Sequence, residues 1–169
     1  LRPCGSTLSP NGIGFAADEG RGAMLNVALC DRVIKVDAER MLVTVECGAR
    51  VEQVLEALAP HGLTLENLAS IAAQQIGGFV QAGAHGTGAT LPPVDGQVEA
   101  LTLVTPAHGR VTFRRGDPWF DLVVVGLGCF GVCVEATLRC VPRHLLRERV
   151  EVLSRAEAKR RRDAILRDN

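Results

Sequence analysis

Between residues 63 and 93 the chain carries one charged side chain, Glu66, while Gly77, Gly78, Gly83, Gly86 and Gly88 recur among small and apolar residues. A solvent-facing loop does not tolerate so long an uncharged run. Something uncharged or bound through backbone groups must therefore cover it, and this requirement constrains the fold more than any other feature. The rest of the composition supplies a body to hold such a segment. With 169 residues, 47% hydrophobic and 22% charged, a sizeable core is expected in one compact domain or a piece of a larger one. Lys+Arg 19 balances Asp+Glu 19, which removes the electrostatic footprint of a nucleic-acid or anionic-membrane binder. Gly 18 with Tyr 0 describes tight turns and close backbone approaches rather than aromatic packing.

Cys4, Cys30, Cys47, Cys129, Cys133 and Cys140 form no C-x-x-C pair, and no histidine stands at zinc-finger spacing from them, so no metal site is expected. Most lie in apolar, strand-like runs, as free thiols do, which favours a reducing or matrix-like compartment over a secreted disulfide framework. The longest apolar run, residues 122–134, is shorter than the roughly 20 residues a spanning helix needs and contains Gly126, Gly128 and Gly131. A soluble chain is expected. The opening Leu1-Arg2-Pro3-Cys4-Gly5 has no initiator Met or targeting pattern, and we expect the polypeptide to begin earlier.

Residues 2–22 keep no period and read as an extended functional loop. Strands are predicted over residues 24–27, 31–37 and 41–47. Val51, Val54, Leu55 and Leu58 fall at i, i+3, i+4 and i+7, predicting an amphipathic helix over 50–58 that Pro60, His61 and Gly62 close. Residues 97–106 and 109–113 read as a hairpin turning at 107–109. Asp117-Pro118 is a helix-start signal, yet residues 121–125 have strand propensity, and both readings stay open. A β-branched strand is predicted over 132–141. Residues 154–169, with Lys159-Arg160-Arg161-Arg162, read as a charged helix that packs weakly through Leu153, Ile165 and Leu166.

Three glycine-rich loops compete to bind a phosphate or cofactor. Gly126-Leu127-Gly128-Cys129-Phe130-Gly131 is a literal G-x-G-x-x-G, but the dinucleotide fingerprint requires its last glycines to open a helix. Residues 132–138 alternate with period 2, so this loop reads as a tight turn between elements, with Cys129 and Cys133 as core thiols. The segment Gly5-Ser6-Thr7-Leu8-Ser9-Pro10-Asn11-Gly12 could form an anion nest from successive N–H groups, or equally a surface turn cluster. The third loop runs from Ile76-Gly77-Gly78 to His85-Gly86-Thr87-Gly88 and sets one imidazole among backbone donors; a satisfied buried histidine is the alternative there.

The second and third loops together carry a resemblance. Residues 2–12 are similar to the pyrophosphate loop of the vanillyl-alcohol-oxidase superfamily of flavoproteins and, within it, the aldonolactone oxidoreductases. Gly62-Leu63-Thr64-Leu65-Glu66-Asn67-Leu68-Ala69-Ser70, Gln74-Gln75-Ile76-Gly77-Gly78, Gly83-Ala84-His85-Gly86-Thr87-Gly88-Ala89 and Leu91-Pro92-Pro93 resemble the L-galactono-1,4-lactone dehydrogenases of that branch. The likeness continues through Leu103-Val104-Thr105-Pro106 to about Pro142 and fades beyond Arg143. Residues 120–125 lack the polar side chains usual in those relatives, which implies a looser element there.

The resemblance implies an α+β FAD-binding domain of two subdomains, incomplete at its N-terminus, over residues 1–142. Residues 143–169 would be a charged connection towards a cap domain beyond the chain, which would hold the catalytic residues. It implies FAD contacts from Gly5, Ser6, Leu8, Ser9, Asn11, Gly12, Ala69, Ser70, Ile76, Gly77, Gly78, Gly83, His85, Gly86, Thr87, Gly88, Gly131 and Val132. Leu8 stands where many relatives carry a flavin-linked histidine, so FAD would be noncovalent. Ala69 would be the gatekeeper whose methyl group keeps dioxygen from the flavin. The implied activity is oxidation of L-galactono-1,4-lactone to ascorbate in mitochondria, soluble or peripherally attached to the inner membrane, with hydride to flavin N5 and electrons to cytochrome c. The alternative is a noncatalytic flavodomain serving assembly of respiratory complex I.

Overall fold

The computed structural model describes residues 1–16, 22–88 and 90–167. Ala89 of the third glycine loop, residues 17–21 of the opening segment, and Asp168 and Asn169 of the tail lie outside them. In chain order the elements are β1 (Arg2–Cys4), β2 (Met24–Asn26), β3 (Val33–Asp37), β4 (Leu42–Glu46), α1 (Val51–Leu58), β5 (Leu63–Thr64), α2 (Ile76–Gln81), β6 (Val98–Thr105), β7 (Gly109–Arg114), α3 (Phe120–Val124), β8 (Val132–Arg139), β9 (Val141–Pro142) and α4 (Arg155–Arg167).

The body is a five-stranded antiparallel sheet in the order β3-β4-β8-β6-β7, with helices on one face. Alternation on β4 sends Val43 and Val45 inward, and Leu138 and Ala136 of β8 and Leu101 and Leu103 of β6 join them. Against this layer α1 buries Val51, Val54 and Leu58, and α2 buries Ile76, Phe79 and Val80. The opposite face is polar: Thr44 meets Thr137 at 3.0 Å across β4 and β8, and Thr102 meets Thr112 at 2.9 Å across β6 and β7. Arg50 precedes α1, which ends in a 3₁₀ turn, Ala59–His61, closed by Gly62 at φ 67°.

Several expectations change. Residues 2–22 are not wholly loop, because Arg2–Cys4 pairs in parallel with Met24–Asn26; three-residue strands are too short to show a period. The helix-start signal prevails over strand propensity at residues 121–125, and α3 buries Phe120, Val123 and Val124, so this element is packed rather than loose. The strand over 132–141 divides: β8 stays in the large sheet, whereas Val141–Pro142 leaves it to pair with β5. The nearly charge-free stretch contains α2, whose Ile76, Phe79 and Val80 are covered by the protein's own core. Among the described residues, α4 has no buried residue and no helix is long and apolar enough to cross a membrane.

Candidate functional site

A cleft open to solvent lies between three walls. The first wall is the opening segment, with Arg2, Gly5, Ser6, Thr7, Leu8, Ser9, Ile13 and Gly14. It is folded back by few bonds. Arg2 donates from Nε (2.9 Å) and Nη2 (2.6 Å) to the Ile13 carbonyl, Ser6 Oγ donates to Ala73 O at 3.0 Å, and Asn26 Nδ2 donates to Gly5 O at 3.3 Å. Thr7 takes φ 52°, an uncommon conformation for a β-branched residue, where the loop reverses.

The second wall is α2 and its approach, with Gln74, Gln75, Gly77, Gly78, Phe79, Gln81 and Ala82. The helix docks end-on against the chain after β4, Ile76 N donating to Ala49 O and Gly77 N to Cys47 O, both at 2.8 Å. A side chain at Gly77 would stand 3.1 Å from Cys47 Cβ, which is why glycine is needed for this approach; at Gly78 a side chain would point into open space. The third wall is the G-x-G-x-x-G turn between α3 and β8, contributing Leu127, Gly128, Gly131, Val132 and Cys133. It leads into a strand, as the period-2 alternation requires. Gln81 clamps it to α2. Its Nε2 donates to Val123 O (2.9 Å) and Val124 O (3.1 Å), its Oε1 accepts from Gly128 N (3.0 Å), and its backbone carbonyl accepts from Leu127 N (3.1 Å).

The cleft thus gathers Gly5, Ser6, Leu8, Ser9, Gly77, Gly78, Gly131 and Val132 of the expected residues. Others lie elsewhere. Asn11 caps a 3₁₀ turn at residues 12–14, its Oδ1 accepting from Ile13 N, and Gly12 lies within that turn. Ile76 is fully buried in the core. Ala69 is half-buried against the core, Ser70 is exposed, and both lie outside the cleft's lining. Gly83, Gly86, Thr87 and Gly88 are also outside it. Gly86 serves packing, since a Cβ there would fall 2.0 Å from Asn67 Oδ1 and 2.6 Å from Leu68 O. His85 is exposed, not a buried histidine, and its Nδ1 donates to Gly86 O at 2.9 Å. Cys129 is likewise exposed, whereas Cys133 is a core thiol.

Sequence reasoning missed the glutamines. Gln74 Oε1 and Gln75 Oε1 are buried and have no hydrogen-bond partner, although both residues line the cleft. Buried acceptors without donors are expensive, and a ligand bearing hydroxyl or N–H groups would satisfy them. The available signal was their position: they are polar side chains separated by Ile76 alone from the diglycine of an otherwise apolar run. Arg2 is the one charged side chain among the described lining residues. Such a lining, of backbone, small polar groups and one cation, fits a long ligand with an anionic centre and uncharged arms.

A family model described as FAD binding domain matches residues 1–113. The chain belongs to that FAD-binding family. Its cofactor is accordingly FAD, and the unpartnered glutamine oxygens and side-chain-free wall at Gly78 fit that group. The FAD-binding chain is 50% identical over its whole length to the mitochondrial L-galactono-1,4-lactone dehydrogenase of Arabidopsis thaliana, spanning 27% of that protein. It is equally 50% identical to a mitochondrial L-galactono-1,4-lactone dehydrogenase of Oryza sativa, spanning 29% of it. Against the L-gulonolactone oxidase of Bos taurus the identity is 38% over 75% of this chain and 29% of that one. In fold it is similar to solved structures of alkyldihydroxyacetonephosphate synthase, with TM-score 0.74 and 18% identity over 83% of this chain and 27% of that one.

Proposed function

We propose that the chain is the FAD-holding part of a mitochondrial aldonolactone dehydrogenase that oxidises L-galactono-1,4-lactone to ascorbate and passes electrons to cytochrome c. The observation that carries this reading is the 50% identity, over all of this chain, to L-galactono-1,4-lactone dehydrogenases. Bound FAD supplies a two-electron acceptor for the hydride, at N5. This chain's residues hold and orient it. Backbone amides of residues 5–9, on a loop that reverses at the left-handed Thr7, would hold the anionic centre of the cofactor. Gln74 and Gln75 would accept from its hydroxyl or N–H groups. Leu8 borders the cleft without a nucleophilic atom, so attachment is noncovalent. Residues 1–142 form the cofactor domain, and residues 143–169 lead towards the part of the protein that contacts the lactone. Ala69 acts from outside the cleft's lining, its methyl group narrowing the approach of dioxygen.

The test is made on the full-length protein. Acid precipitation should leave the flavin in the supernatant, and L-galactono-1,4-lactone should drive reduction of cytochrome c. Flavin retained on the pellet overturns noncovalent binding. Absence of cytochrome c reduction, with the protein instead co-migrating with respiratory complex I, replaces the enzyme by the assembly role. Ala69→Gly should speed reoxidation of the reduced protein by dioxygen in stopped flow while leaving reduction by lactone intact; an unchanged rate returns Ala69 to packing alone.

A further inference from the structure

Two thiols sit where the packed layer meets the cleft, and the proposed reaction uses neither. Cys47 directly follows β4, Cys133 lies on β8, and their Sγ atoms are 3.0 Å apart. Cys47 is fully buried, Cys133 is 5% exposed, and both border the cleft. Simple alternation would have separated them. Leu138 and Ala136 of β8 point into the core, so Val134 should follow and Cys133 should face the other way. The register against β6 breaks at this point: Thr102 pairs with Glu135 but Leu103 pairs with Cys133, two steps on β8 for one on β6. A bulge of this kind re-aims a side chain. Here it turns Cys133 inward, where the run Val43, Val45, Cys47 has delivered the other sulfur.

We propose that Cys47 and Cys133 form an oxidisable dithiol in the floor of the cleft, which hydrogen peroxide converts to a reversible disulfide joining β4 to β8. Cys133, the more exposed sulfur, gives up its proton and attacks one peroxide oxygen. The O–O bond breaks, the departing hydroxide takes that proton to form water, and Cys133 becomes a sulfenic acid. The Cys47 sulfur then displaces the sulfenic hydroxyl, which leaves as a second water with the Cys47 proton. Two thiols lose two electrons and one peroxide gains them. The hydrogen bond with Cys133, together with burial, holds the Cys47 thiol well above the ordinary thiol range, so the first attack falls to Cys133. Closure requires the sulfurs to approach by about 1 Å.

The experiment uses full-length protein as purified, exposed to hydrogen peroxide, then alkylated under denaturing conditions, digested and weighed by mass spectrometry. The expected result is a peptide pair joining Cys47 to Cys133, absent before treatment and abolished by dithiothreitol, with the loss of two alkylatable thiols. Cys47→Ser should leave Cys133 to advance to sulfinic acid. In the wild type, a Cys133 that stops at sulfinic acid, two thiols that remain alkylatable, or a link from Cys47 to another cysteine each overturns the proposal. The wild-type arm decides it without a variant having to fold.

Discussion

Two walls of the same cleft are built by opposite means. The α2 wall is an extension of the core: Phe79 is 1% exposed, and the Gln81 clamp ties the helix to the turn before β8. The opening loop is anchored at its edges by Arg2, Ser6 and Asn26, while Thr7, Leu8 and Ser9 between those anchors are exposed. The contrast teaches that folding alone prepares one side of the site, whereas the other acquires its order from what binds there. Stability and cofactor affinity should therefore respond to different residues.

The largest effect should come from Phe79→Ala, which empties the packed wall and should cost about 3–5 kcal/mol in denaturant unfolding. A cost near that of an exposed residue would break the comparison. Gln81→Ala should follow, because it strands the Val124 carbonyl and the Gly128 N–H and takes one donor from the Val123 carbonyl, at about 1–3 kcal/mol. Ser6→Ala inverts the pattern. Unfolding should change by about 1 kcal/mol or less, while fluorescence titration with FAD should show binding weakened several-fold; equal effects of Ser6→Ala and Gln81→Ala on FAD affinity would show the walls to be alike. The smallest effect concerns thiols. Burial pushes Cys140, just after β8, up to about 11, while Cys30 and Cys129 are exposed. Because the folded value lies above the ordinary 9.0, this thiol's contribution to stability is complete below pH 9 and is lost as pH rises towards 11. Iodoacetamide at pH 8 should modify Cys30 and Cys129 well before Cys140, and equal rates would place Cys140 in contact with solvent.

What the sequence made legible was the part governed by period. The alternation at residues 41–47 and the i, i+3, i+4, i+7 spacing from Val51 are local signals, and both elements stand within a residue or two of the reading. The helix α2 was hidden because Gly77 and Gly78 occupy its first turn, where propensity argues against helix. Only the dock onto Cys47 explains Gly77, and that contact joins residues far apart in the chain. The bulge facing Val134 was invisible for the same reason, since register against a distant strand leaves no mark in the strand's own composition. At the site, glycine marked the walls, but it could not separate Gly78, which opens onto the cleft, from Gly86, which locks against Asn67.

The strand order β3-β4-β8-β6-β7 has a consequence for how the domain comes into being. The pairs β3-β4 and β6-β7 join neighbours in the chain and can close as soon as each emerges, but the strand between them is supplied last. Until β8 slides into that central slot, the nascent chain is two separate hairpins, each with an unpaired edge and half of an apolar layer open to water. The G-x-G-x-x-G turn and Cys133 arrive on the same segment, so the cleft cannot exist before the sheet is whole. Pairing across such sequence distances is slow. A polypeptide interrupted before residue 139 would thus be not a weakened cofactor domain but a pair of sticky fragments, which quality-control machinery would meet as a substrate for degradation.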